Sequence, residues 1–176
     1  MIQNSKLKIK NSSRGFTLIE IIIAIAIVGI VSGIAVVNFG KNDDKDVRME
    51  RERLTSFLRD VQNKALTGEI VAGVSGVCGF GVHYVSSSKI QAYYTTHGTD
   101  CKISGSKTYG TDLQDVFNVR NGVTVNSSFS DVFFLIPNGE VYDNGTPMAT
   151  PVTLTLTKNT SIGITIDAAG NIKNID

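Results

Sequence analysis

Hydrophobic and polar residues alternate in three successive rhythms along this chain. From Ile21 to Gly40 no position is charged, and an unbroken apolar run of that kind predicts a helix that is hydrophobic on every side. Counted from Phe16 to Val37 the apolar segment is 22 residues, which as a helix reaches about 33 Å, just over the roughly 30 Å hydrocarbon core of a bilayer. Between Asp43 and Thr67 the apolar positions are Val47, Leu54, Leu58, Val61 and Ala65. Their gaps of 7, 4, 3 and 4 put them on one helical stripe. Asp44/Arg48 and Asp60/Lys64 add favourable i,i+4 pairs, and Gly68 is placed to cap the end. From Glu69 onward the period becomes two, as in Phe80, Val82, Tyr84; Ile90, Ala92, Tyr94; Val132, Phe134, Ile136; Val152, Leu154, Leu156; and Ile162, Ile164, Ile166. Turn pairs Asn138-Gly139, Asn144-Gly145 and Gly170-Asn171 separate the runs. The predicted class is therefore α+β: a long N-terminal helix, membrane-spanning in its first half and either continuous or weakened at Gly40, followed by a mostly antiparallel β domain packed by one face on the amphipathic stripe.

Charge adds a direction. The fifteen residues before Phe16 hold Lys6, Lys8, Lys10 and Arg14 and no acid, whereas Lys41 and Lys45 after the apolar run are balanced by Asp43, Asp44 and Asp46. That asymmetry places the N-terminus in the cytoplasm and exports everything beyond about residue 40. A secretory signal with its cleavage site among Gly29, Ser32, Gly33 and Ala35 is the alternative reading of the same flanks. Over the whole chain, 41% hydrophobic and 19% charged residues with a formal net charge of +1 exclude a disordered chain and give no global basic excess for nucleic acid.

The residues that open the apolar run, Arg14-Gly15-Phe16-Thr17-Leu18-Ile19-Glu20, resemble the processing site of type IV pilins and type II secretion pseudopilins. The likeness covers about residues 11 to 38. It implies that a prepilin peptidase cuts after Gly15 and methylates the new N-terminal Phe16. Residues 1–15 are then a leader that is removed, 16–38 a transmembrane and assembly helix, 39–68 an amphipathic helix packed on the β domain, and 69–176 an exported β-rich domain. The mature protein is left with 176 − 15 = 161 residues. The resemblance further implies a structural subunit with no cofactor and no enzymatic activity. It would sit as a single-pass protein of the inner membrane before it joins a filament in the periplasm or at the cell surface. Its partners would be other pilins or pseudopilins, the peptidase and the inner-membrane assembly platform.

Glu20 is a carboxylate at the edge of an uncharged helix, and carrying it to mid-bilayer depth costs about 2.5 to 3.5 kcal/mol. No basic side chain lies between Arg14 and Lys41. The resemblance implies pairing with the α-amino group of a neighbouring Phe16; snorkelling to the interface is the other possibility. Gly29 and Gly33 form a Gly-x-x-x-Gly pair, read either as a helix contact or as local helix plasticity. Many pilins carry a Pro at the mature position held here by Val37, so any helix break of theirs would have to come from the glycines.

In the β domain, Phe133 to Val141 with its Pro137-Asn138-Gly139 turn and the late strands from Val152 to Asp167 look most like the minor pseudopilins of the GspH/FimT type. A major pilin is the runner-up. A single-span anchored ligand-binding protein that never polymerises, including one that captures DNA, is the alternative from another class. Cys78 and Cys101 are the only cysteines, and export to an oxidising compartment favours a disulfide. Its position early in the β domain departs from major pilins, which bracket a C-terminal segment. His83 and His97 lie between the two as Cys-x4-His and His-x3-Cys, a spacing that invites zinc. Against zinc, strand alternation groups Cys78 with Phe80, Val82 and Tyr84 and turns His83 to the other face; free thiols are the third option. Asp143-Asn144-Gly145-Thr146 reads as a polar turn or a calcium loop. The β domain carries six cations against nine acids, 6 − 9 = −3, so nucleic acid is not expected as a partner beyond a weak patch at Lys102 and Lys107. No metalloprotease, nucleophile-elbow, Cys-x-x-Cys or P-loop motif is present.

Overall fold

The computed structural model describes residues 15–39, 42–96, 106–110, 115–143 and 145–176, and the chain divides into two units, Met1–Lys41 and Asn42–Asp176.

The described part of the first unit is one helix, α1 (Leu18–Phe39). Thr17 starts it: the amide of Glu20 reaches Thr17 Oγ1 at 3.3 Å, which satisfies one of the donors that a helix start leaves open. From Phe16 to Val31 the large apolar side chains are between 51% and 80% exposed, because they surround the helix instead of forming a stripe.

The second unit opens with α2 (Asn42–Thr67). Gly68, at φ 65°, ends it. Glu69 N donates to Lys64 O at 2.9 Å and Gly68 N to Ala65 O at 3.2 Å, the paired bonds of a Schellman cap, which need a residue that tolerates the left-handed region. Among the described residues eleven strands follow: β1 (Val77–Ser86), β2 (Lys89–Thr96), β3 (Ser106–Tyr109), β4 (Val116–Asn118), β5 (Thr124–Ser127), β6 (Asp131–Leu135), β7 (Val141–Asp143), β8 (Thr146–Pro147), β9 (Val152–Lys158), β10 (Thr160–Ile166) and β11 (Ile172–Ile175). They form two sheets, one ordered β3-β2-β1-β6-β7-β8 with β4 also on β2, the other ordered β11-β10-β9-β5. Every pairing is antiparallel.

The two sheets share one helix. Val47, Leu54, Leu58, Val61 and Ala65 of α2 are at most 1% exposed and pack into a core with Phe80, Val82, Ile90, Val132 and Phe134 of the first sheet and Leu154, Leu156, Ile164 and Ile166 of the second. The alternation read from the sequence is the alternation that fills this core. The first sheet also has a second apolar face. Cys78, Tyr93, Phe133, Leu135 and Tyr142 form a separate buried cluster, so β6 is buried at all five positions.

That second face corrects one expectation. Regular alternation would put Cys78 with Phe80, but the β1–β2 register shifts between Val77 and Gly79. The extra residue of such a bulge reverses the side on which Cys78 emerges, and it joins Tyr93 and Phe133 on the reverse face.

Candidate assembly site

Gly15, Gly29 and Gly33 have no heavy atom within 4 Å of where a Cβ would stand. Among the described residues nothing therefore requires glycine at 29 or 33. Being four apart, the two lie one above the other on α1 and leave a shallow gap in a surface of Ile and Val. Glu20 follows the Thr17 cap by three residues, the spacing of a capping box. Its carboxylate lies in the first helical turn, where the helix dipole favours a negative charge by about 0.3 to 1 kcal/mol. Sequence reasoning weighed Glu20 and missed Thr17, although the Thr-x-x-Glu signature was there to be read.

Among the described residues no helix is long and apolar enough to cross a membrane. The part of α1 whose side chains are described, Leu18 to Gly33, would reach about 24 Å against roughly 30 Å of hydrocarbon, and the helix itself continues to Phe39.

In the β domain Cys78 is disulfide-bonded. Cys101 and His97 lie outside the described residues, as do Lys102 and Asn144 of the DNA-patch and calcium-loop readings. His83 is committed elsewhere: Nδ1 stands 3.0 Å from Asp131 Oδ1, and Asp131 Oδ2 takes Lys107 Nζ at 2.8 Å. Lys107 also stands over the Tyr93 ring at 5.5 Å, and burial pushes the Tyr93 phenol well above its ordinary range. Among the described residues no three His, Cys, Asp or Glu side chains come together as a metal site. A cavity of about 240 Å³ lies beside Glu69–Ala72, and its lining lysine, Lys64, pairs with Asp115 at 3.3 Å.

The Pro137-Asn138-Gly139 turn joins β6 to β7. Gly139 N donates to Leu135 O at 2.8 Å. At φ 70° it also lies beneath α2, where a Cβ would meet Leu66 Cδ2 at 2.7 Å, so the turn docks the sheet on the end of the helix.

A family model for the prokaryotic N-terminal methylation motif matches residues 10–36. The solved structure of the minor pseudopilin EpsH from the Type 2 Secretion System of Vibrio cholerae is similar to this chain at a TM-score of 0.50. The similarity runs at 14% identity over 74% of this chain and 96% of that one. The fold is pilin-like. Motif and fold together support the type IV pilin and pseudopilin family. No curated protein sequence matches the chain.

Proposed function

We propose that this chain is a minor pseudopilin or minor pilin, a non-enzymatic subunit that joins a type II secretion pseudopilus or type IV pilus through α1. The observation that carries this reading is a helix whose large side chains from Leu18 to Val31 are apolar and exposed on all sides, interrupted there by Glu20, and which lies largely within the residues that the methylation motif matches. Exposed on this scale, such a surface requires cover. The cover is the inner membrane before assembly and neighbouring subunits afterwards. Cleavage after Gly15 by a prepilin peptidase leaves N-methylated Phe16 as the new terminus, with its amine available to a neighbour's Glu20. The β domain is exported, and a disulfide between Cys78 and Cys101 staples it. The minor assignment is supported by the likeness to EpsH and by the early position of the cysteines.

Co-expression with a prepilin peptidase tests the proposal. Mass spectrometry should find the chain shortened by fifteen residues and methylated, with Gly15→Ala left uncut. An intact Met1 terminus in the membrane form, or a cut near Gly33, overturns it.

A further inference from the structure

The two halves of α2 are held to the sheets by different forces. Of the twelve residues from Asn42 to Arg53, nine are charged and only Val47 is a buried apolar side chain. The next twelve, Leu54 to Ala65, bury Leu54, Leu58, Val61 and Ala65.

Apart from Val47, what fastens the first half is polar. Lys158, the last residue of β9, bridges Asp43 Oδ1 at 2.8 Å and Asp46 Oδ2 at 2.7 Å. The bonds to Asp43 and Asp46 raise the Lys158 ammonium above its ordinary value. Asn159, the next residue, has φ 57° and donates to Asp43 Oδ2. Further along, Arg51 donates to the Asp176 carboxylate at 2.6 Å, Asn174 Nδ2 donates to Glu52 at 3.2 Å and Thr55 Oγ1 to Asn174 at 2.8 Å. The fastening is incomplete, since Arg51 Nε is buried with no acceptor among the described residues. Glu50, buried at 1% exposure, is neutralised from within the same helix by Arg53 at 2.6 Å.

We infer that Asn42–Arg53 is an electrostatic latch: a segment of α2 that charge holds against the β9–β10 turn and β11, and that releases while the apolar half of the helix stays docked. Lys158 is its keystone because one ammonium joins two carboxylates of the first turns. Salt screens such partly exposed pairs, the Debye length falling from about 10 Å at 0.1 M to about 3 Å at 1 M, whereas it does not weaken the burial of Leu54 and Leu58. The segment is also the chain's path from the first unit into the second. Ten residues that unwind from helix to extended chain lengthen that path by about 18 Å. The inference rests on the geometry of α2 alone and stands apart from any role in a filament.

Amide hydrogen exchange on the full chain in nonionic detergent micelles tests it. The first four amides of a helix lack intrahelical partners, so positions 46 to 53 are the ones to follow. Raising NaCl from about 0.1 M to about 1 M should speed their exchange at least about tenfold and leave positions 58 to 66 unchanged. Lys158→Met should produce the same acceleration at low salt, and Lys158→Arg should behave as the parent does. Equal exchange of 46 to 53 at both salt concentrations overturns the latch, and so does acceleration of 58 to 66 in step with them. If Lys158→Met fails to fold, the two-salt comparison on the parent decides alone.

Discussion

Gly81 of β1 lies directly beneath the ring of Tyr93 on β2, where a Cβ would stand 2.6 Å from Tyr93 Cζ. The two are register partners across the β1–β2 pair, and Gly79 repeats the arrangement under Phe133, with a Cβ 2.6 Å from its Cζ. Two missing side chains thus make room for a row of rings on the reverse face of the first sheet: Tyr109 to Tyr93 at 5.7 Å, Tyr93 to Phe133 at 6.5 Å and Phe133 to Tyr142 at 6.2 Å, of which Tyr93 and Phe133 are nearly parallel. The backbone oxygen of Val132 also closes on the Gly81 site, so the intrusion cannot be relieved by a ring turning away alone. Gly81→Ala should therefore lower stability by about 1 to 3 kcal/mol, the usual cost of overpacking. Thermal unfolding followed by near-ultraviolet circular dichroism of the tyrosines reads this; an unchanged midpoint refutes the close-approach role.

Asp167 gathers the amides of Ala169 and Asn171 at 3.0 and 2.9 Å, the Asn171 side chain at 2.9 Å and Lys173 Nζ at 3.3 Å. The Asn171 bonds lead in holding its carboxyl down to about 2 from an ordinary 3.8. A depressed folded value means that the contribution is fully present above pH 3.8 and is lost as the pH falls toward 2. Asp167→Ala should then destabilise the β10–β11 turn at neutral pH and match the parent near pH 2. Paired melting curves across that window check the sign; a gap that widens in acid would reverse it.

Reduction should matter as much as either substitution. A disulfide joining Cys78 to Cys101 closes a loop of about 24 residues, for which chain entropy gives roughly 3 kcal/mol. Alkylation before and after reduction, with melting curves of both forms, reports the pairing and its effect. Two thiols labelled without reductant would exclude the pair.

The periodicities carried the fold because each rests on a single physical preference. The gaps from Val47 to Ala65 are helical, the alternation in Val152–Leu156 and Ile162–Ile166 is that of strands, and all of these residues enter one core. What escaped was the consequence of irregular geometry. The bulge near Cys78 moved that residue to the opposite face; Gly79 and Gly81 beside it, glycines inside a strand, mark a bulge or a close approach, but they do not say which side chain changes face. The division into two sheets depends on which strands pair across long gaps, as β1 does with β6, and periodicity is silent on partners. Thr17 was legible and overlooked. The Lys158 contacts to Asp43 and Asp46, more than 110 residues apart in sequence, were not.

Gly29 and Gly33 make a sharper test of the proposed assembly than of the fold. Because a Cβ at either meets nothing within 4 Å, and because Ala is the better helix former by about 1 kcal/mol, Gly29→Ala and Gly33→Ala should leave the domain's unfolding unchanged. Replacement by the bulkier Leu should cut cross-linking between subunits while circular dichroism stays constant, if close helix approach uses this gap. Undiminished cross-linking in both Leu variants would assign the glycines to no interface.

The pairing of Thr17 with Glu20 allows the two roles of Glu20 to be separated. As the third helical residue it belongs to the cap, whose amide bond to Thr17 Oγ1 is 3.3 Å long; as a carboxylate it is the charge that a neighbour's amine would meet. Gln serves at the third position of a capping box as Glu does. Glu20→Gln therefore removes the charge and leaves the helix start intact. Thr17→Val does the opposite, costing about 1 kcal/mol of local helix stability while the carboxylate remains. If charge pairing drives assembly, Glu20→Gln should be cleaved after Gly15, keep a folded β domain and fail to enter filaments or cross-link to other pilins. Thr17→Val should fray the first turn, seen as faster exchange of the amides at 20 and 21, and still assemble. Normal incorporation of Glu20→Gln would discard the charge mechanism even with cleavage confirmed, and loss of assembly in both variants would point to the helix start itself as the feature that neighbours recognise.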